Sequence, residues 1–79
     1  MPVQIFLSSS LRKYVPGYDA NAGIGKVIET PMKLEDLCRE MGIPLETVKI
    51  AMVDGKRVPF DHELQGEERI AFFPPVGGG

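Results

Sequence analysis

Reactive side chains are scarce in this sequence. A single cysteine, Cys38, excludes an internal disulfide and suits a reducing compartment. The single histidine, His62, stands between Asp61 and Glu63, but consecutive residues do not converge on one point. No second histidine or cysteine ligand is available beside it, so no metal is expected. Lys and Arg total 9 against 11 Asp and Glu, for a net charge of −2. The basic residues are scattered rather than clustered, so neither nucleic acid nor an anionic membrane is an expected partner. There is no apolar run of about 18 residues and no secretory signal, so a soluble chain in the cytoplasm is expected. Gly23 and Gly25 flank only Ile24 and match no phosphate-binding loop. With no nucleophile and base pair either, the chain does not read as an enzyme.

What remains is a small core. At 79 residues, 43% of them hydrophobic, the chain makes one domain. Such a domain buries only about 60 to 65% of its unfolded surface, enough for two layers around one helix. Val3, Ile5 and Leu7 alternate with Gln4 and Phe6 as a strand, odd residues inward. A short helical turn is expected at 11–15, an exposed loop at 18–25 and a second strand at 25–29. Leu34, Leu37, Cys38 and Met41 fall at i, i+3, i+4 and i+7, the buried stripe of the main helix, which makes Cys38 a small core residue. Two starts are open: a Thr30 cap followed by Pro31, or Leu34 with Lys33 as a poor cap. Gly42, Ile43 and Pro44 end the helix. In the strand from Val48 to Val53 the expected inward set is Val48, Ile50 and Met52, with Lys49 and Ala51 outward. Asp54-Gly55 then turns the chain into the short strand Lys56-Arg57-Val58. Leu64 points inward from a tight turn, and in the last strand Ile70 and Phe72 face the helix. This leaves Phe6, Lys49, Arg69, Ala71 and Phe73, with Gln4, on the other side of the sheet. An apolar centre with a polar fringe is a candidate docking surface.

The last stretch, Arg69-Ile70-Ala71-Phe72-Phe73-Pro74-Pro75-Val76-Gly77-Gly78-Gly79, carries the chemistry. With glycine at about 7% of average usage, two glycines close a chain by chance in roughly one case in two hundred. A carboxylate becomes an acylating group once its oxygen is made a leaving group, most simply by adenylation with ATP. An enzyme that does so must draw the chain end through a narrow channel, and residues without a Cβ let backbone pass closest to its walls. Pro74 and Pro75 stop the strand and send the tail off extended. Residues 74–79 would span about 20 Å at roughly 3.3 Å each, enough to enter a partner's active site.

Three segments carry a family likeness: Val48 to Val53 with Asp54-Gly55; Val58-Pro59-Phe60-Asp61-His62-Glu63-Leu64; and Arg69 to Val76 before the glycines. Together they resemble the small subunits of molybdopterin synthase, which belong with the thiamine-pathway carrier among the ubiquitin-like β-grasp sulfur carriers. The likeness spans nearly the whole chain and is weakest in residues 8–25. It implies an α+β β-grasp fold, with a mixed sheet of four to five strands and one helix across one face. Residues 1–73 would form the domain and 74–79 a flexible tail. The resemblance further implies that an E1-like adenylating enzyme uses ATP to activate the carboxylate of Gly79. A sulfur donor protein would then make it a thiocarboxylate. The large synthase subunit would take in Pro74, Pro75, Val76, Gly77 and Gly78, and sulfur would pass to a cyclic pyranopterin precursor. The carrier would bind no cofactor itself. One departure is Gly77, which fills a position that usually holds a variable small residue. A thiamine-type carrier, or a ubiquitin-like modifier forming isopeptide bonds to lysine, would need the same tail.

Overall fold

The computed structural model describes residues 2–75. Among these the order is β1 (Val3–Leu7), β2 (Ile24–Lys26), β3 (Met32–Lys33), α1 (Leu34–Met41), β4 (Ile50–Val53), β5 (Lys56–Val58), β6 (Glu63–Leu64) and β7 (Arg69–Phe73). Short 3₁₀ turns fill Ser9–Tyr14 and Leu45–Thr47. Five strands form one mixed sheet in the order β2-β1-β7-β4-β5, with β7 parallel to β1 and antiparallel to β4. A separate ladder joins β3 to β6. One helix packs across one face of a five-stranded sheet, a small α+β fold of the ubiquitin-like β-grasp type.

Alternation decides which face is buried. Val3, Ile5 and Leu7 of β1 and Ile70 and Phe72 of β7 pack against Leu34, Leu37 and Cys38 of α1, all almost fully excluded from water. Leu11 joins this core from the first 3₁₀ turn, and Leu64 from β6.

In β4 the expected phase is corrected. Ala51 and Val53 are the buried residues, whereas Ile50 and Met52 are half-buried on the outer side. Val48 is buried as expected, but it caps the 3₁₀ turn rather than belonging to the strand. The alternation therefore starts after Lys49 and not at Val48. Packing explains the choice, because Ala51 lies directly opposite Phe72, and a small residue beside a fully buried ring fills the layer without overpacking. The second strand also differs from expectation. It stops at Lys26, and Val27 beyond it is 71% exposed.

Of the two helix starts, the structure takes Leu34, with Lys33 as cap residue and no side-chain cap. Two of the free N–H groups are satisfied at long range. Leu34 donates to the carbonyl of His62 and Glu35 to that of Phe60, both at 3.0 Å. Thr30 and Pro31 instead lead into β3. At the other end Gly42, at φ 75°, donates to Arg39, and Ile43 donates to the carbonyl of Cys38 at 2.9 Å. This is the reciprocal closure that a left-handed glycine permits.

Residues 18–25 are largely exposed, as expected, but Tyr18 and Gly23 are tied to β1. The Tyr18 hydroxyl accepts the Leu7 N–H at 2.8 Å and Arg12 Nε donates to the Leu7 carbonyl at 3.0 Å. They satisfy the edge of β1 past its last pairing with β2, at Ile5 and Ile24. Gly23, at φ +70°, lies against β1 so closely that a Cβ there would come within 2.8 Å of the Ile5 carbonyl and 2.9 Å of the Phe6 ring. We expect Gly23→Ala to cost about 1–3 kcal/mol, combining left-handed strain with a clash against backbone. Chemical denaturation measures it, and a loss under about 0.5 kcal/mol would contradict the close approach.

Candidate functional site

Strand register assembles the face opposite the helix. Phe6 lies beside Ala71, Ala71 opposite Met52, and Met52 opposite Arg57, so one row crosses four strands. The flanking rows set Gln4 beside Arg69 and Ile50 opposite Phe73. Phe6, Ile50, Met52, Ala71 and Phe73 are each half-buried and make a continuous apolar strip. Of the five residues expected here, Phe6, Arg69, Ala71 and Phe73 share the face. Lys49 does not belong to it: it precedes β4 and has the parity of Ala51, so Ile50 and Met52 take its place.

Phe6 is held from two sides. The Arg69 guanidinium lies 4.5 Å from the ring centroid, and Gly23 approaches the ring edge where a side chain would collide. Asp54 shapes the neighbouring corner. It adopts φ 51° and Gly55 φ 83°, the paired positive values of a two-residue hairpin turn. Its carboxylate accepts the Arg69 N–H at 3.0 Å, while its own N–H donates to the Arg69 carbonyl at 2.8 Å.

Both ends of β7 are fastened. The Glu68 carboxylate, just before the strand, accepts N–H bonds from Gln65 at 2.7 Å, Gly66 at 2.8 Å and Glu67 at 3.0 Å. Partial burial pushes this group toward protonation, but the N–H donors outweigh it and hold Glu68 below the ordinary glutamate value. A carboxylate lowered on folding stabilises the protein above its unfolded value and loses that contribution as pH falls through the folded one. Because solvent screens this partly exposed carboxylate, Glu68→Gln is expected to cost only about 0.5–1 kcal/mol at neutral pH. The difference from wild type should shrink below about pH 4, and unfolding across pH checks it; a constant difference would deny the carboxylate its role. At the far end Ser8 donates to the Phe72 carbonyl at 3.2 Å and Lys49 to that of Phe73 at 2.8 Å. The chain is thus aligned up to its last strand residue, and Pro74 and Pro75 follow without N–H groups to extend the ladder. Val76, Gly77, Gly78 and Gly79 lie outside the described residues.

The remaining candidates take structural places. Cys38 is fully buried, and burial pushes its thiol up to about 11 despite the opposing charge of Arg39. That is unfavourable for a nucleophile or ligand. His62 contributes its carbonyl to α1, and no group of three His, Cys, Asp or Glu placed to hold a metal occurs among the described residues. No helix of the described residues is long and apolar enough to cross a membrane.

The family model that matches this sequence is that of the ThiS family, over residues 21–79. The chain belongs to the ThiS family. Three quarters of the sequence lies inside the match, including every strand from β2 onward and the tail. A comparison with curated proteins finds no match. ThiS-family proteins are ubiquitin-like sulfur carriers: small proteins, rather than catalysts, that work with E1-like enzymes and synthase partners.

Proposed function

We propose that this chain is a small subunit of molybdopterin synthase whose Gly79 carboxylate carries the sulfur. An E1-like enzyme attaches AMP from ATP to that carboxylate, releasing pyrophosphate. The outer sulfur of a donor protein's persulfide attacks the adenylate and expels AMP, and a second thiol then cleaves the resulting acyl disulfide, forming a disulfide with the donor and leaving the thiocarboxylate. The large synthase subunit then takes in residues 74–79, and sulfur is transferred to a cyclic pyranopterin precursor for molybdenum or tungsten cofactor. Phe6, Arg69, Ala71 and Phe73, with Ile50 and Met52, form the docking face that brings the tail to each partner.

The observation that carries the reading is Phe72-Phe73-Pro74-Pro75 at the end of the central strand. One ring is locked in the core, the next stands on the outer face, and two prolines without N–H groups end the ladder, with Val76-Gly77-Gly78-Gly79 following in the sequence. A thiamine-type carrier is the second reading, which the ThiS family match accommodates equally well. Mass spectrometry of the C-terminal peptide from protein isolated from its host tests the carrier chemistry. The tail peptide is used because oxidation of any of the four methionines mimics the mass shift of sulfur for oxygen. A thiocarboxylate on Gly79 is expected. Gly79 found only in isopeptide linkage to lysine would move the chain to the protein modifiers. Incubating the thiocarboxylated carrier with pyranopterin precursor and large subunit, or with a thiazole-forming synthase, separates the pathways.

A further inference from the structure

Among the described residues, the strand positions of the outer face carry charge of one sign only. Arg57 stands on β5 opposite Met52, and Arg69 stands on β7 beside Gln4. No strand position on that face holds a carboxylate, although the whole chain has net charge −2. Asp54, at its rim, is engaged with the backbone N–H of Arg69, and Glu68, just before β7, with the N–H groups of residues 65–67. The ion pairs among the described residues are Lys26–Glu40 and Asp36–Arg39, both away from this face. Arg57 and Arg69 are exposed, and Arg69 is ordered on the Phe6 ring. Between the turn and β7 lies a shallow depression lined by Met52, Asp54, Gly55, Arg69 and Ala71.

We infer that Arg57 and Arg69 receive carboxylates of the E1-like adenylating enzyme, which meets Met52 and Ala71 with an apolar ridge bordered by acidic residues. This rests on the docking reading above. Charge complementarity selects the occupant. An acidic carrier must bring a carboxylate-ended tail to the triphosphate of ATP, and like charges oppose that approach. Two cations turned toward the enzyme convert it to an attractive one and fix the register of the face. Guanidinium groups suit the task because each can clasp a carboxylate with two parallel N–H bonds. The stacking of Arg69 on Phe6, itself hemmed by Gly23, reduces what is lost in ordering that side chain.

The test uses the full-length carrier and the purified E1-like enzyme of the same host, with binding followed as salt is raised. Wild-type affinity should fall with salt. The double variant Arg57→Gln/Arg69→Gln should bind about 10- to 100-fold more weakly at low salt and lose most of the salt dependence. The double variant Arg57→Lys/Arg69→Lys should keep the salt dependence with only part of the affinity loss. Circular dichroism verifies that both variants fold. A glutamine variant with wild-type affinity and salt slope would overturn the inference while leaving the carrier reading intact. A wild-type carrier that the enzyme neither binds nor adenylates would overturn both.

Discussion

A chain ending at Gly78, or extended by one residue beyond Gly79, is expected to lose sulfur transfer while keeping its fold. One residue displaces the reacting carboxylate by about 3.5 Å of extended backbone. A misplacement of about 1 Å can already cost on the order of 10²-fold in a positioned reaction, so activity should fall to background. Stability should not follow, because the buried core runs from Val3 to Phe72 and neither change touches it. The unfolding midpoint should stay within the roughly ±0.5 kcal/mol usual for surface changes. Adenylate formation and thiocarboxylate yield with the activating enzyme, measured beside a denaturation curve, check both halves. Transfer retained by either variant would remove Gly79 from the chemistry.

The adjacent pair of phenylalanines should behave in opposite ways. Phe72 is fully excluded from water, between Leu7 of β1 and Ala51 of β4. Truncating it to alanine should cost about 3–5 kcal/mol, lost transfer free energy plus a cavity that the strands cannot close. For a domain whose total stability is of order 5–10 kcal/mol, that puts folding itself at risk. Phe73→Ala, on the half-buried outer face, should cost less than about 1.5 kcal/mol. It should weaken partner binding instead, by removing apolar area from the docking strip. Urea unfolding of the two variants settles the contrast, and equal losses would mean that the register of β7 has been misassigned.

The parts of the fold that were legible in the sequence share one property: a local pattern that packing had no reason to override. The stripe Leu34, Leu37, Cys38 and Met41, the Asp54-Gly55 turn and the alternation of β1 all announce their own faces. The strand after Lys49 did not, because Val48, Ile50, Ala51, Met52 and Val53 are all apolar and either phase offers a plausible interior. Size matching across strands, Ala51 against Phe72, decided it. Val53 immediately before the turn was a usable signal, since placing it inward puts Ile50 and Met52 outside. The helix start was ambiguous for a related reason. Its cap comes from the carbonyls of Phe60 and His62, far along the chain, and no local motif records that. The place of Tyr18 is not legible locally either, because its hydroxyl serves Leu7 across a sheet edge that only the fold creates. Of the outer face, four of five residues were readable from strand parity, and Lys49 was lost with the phase of β4. Arg57 went unnoticed because its place depends on pairing with Met52.

The parallel seam between β1 and β7 has a consequence for synthesis. The first strand made stays unpaired on its inner edge until the last of the seven has left the ribosome, since β7 alone sits between β1 and β4. Pairing across so much chain is slow, and until β7 arrives β1 has no strand on that edge and the core lacks Ile70 and Phe72. A nascent or prematurely ended chain stopping before Arg69 would therefore offer quality-control machinery bare hydrophobic strands, and would offer an activating enzyme no completed face. The topology works as a check on length, because a carrier that is folded well enough to be recognised has already been translated through the strand that leads to its tail.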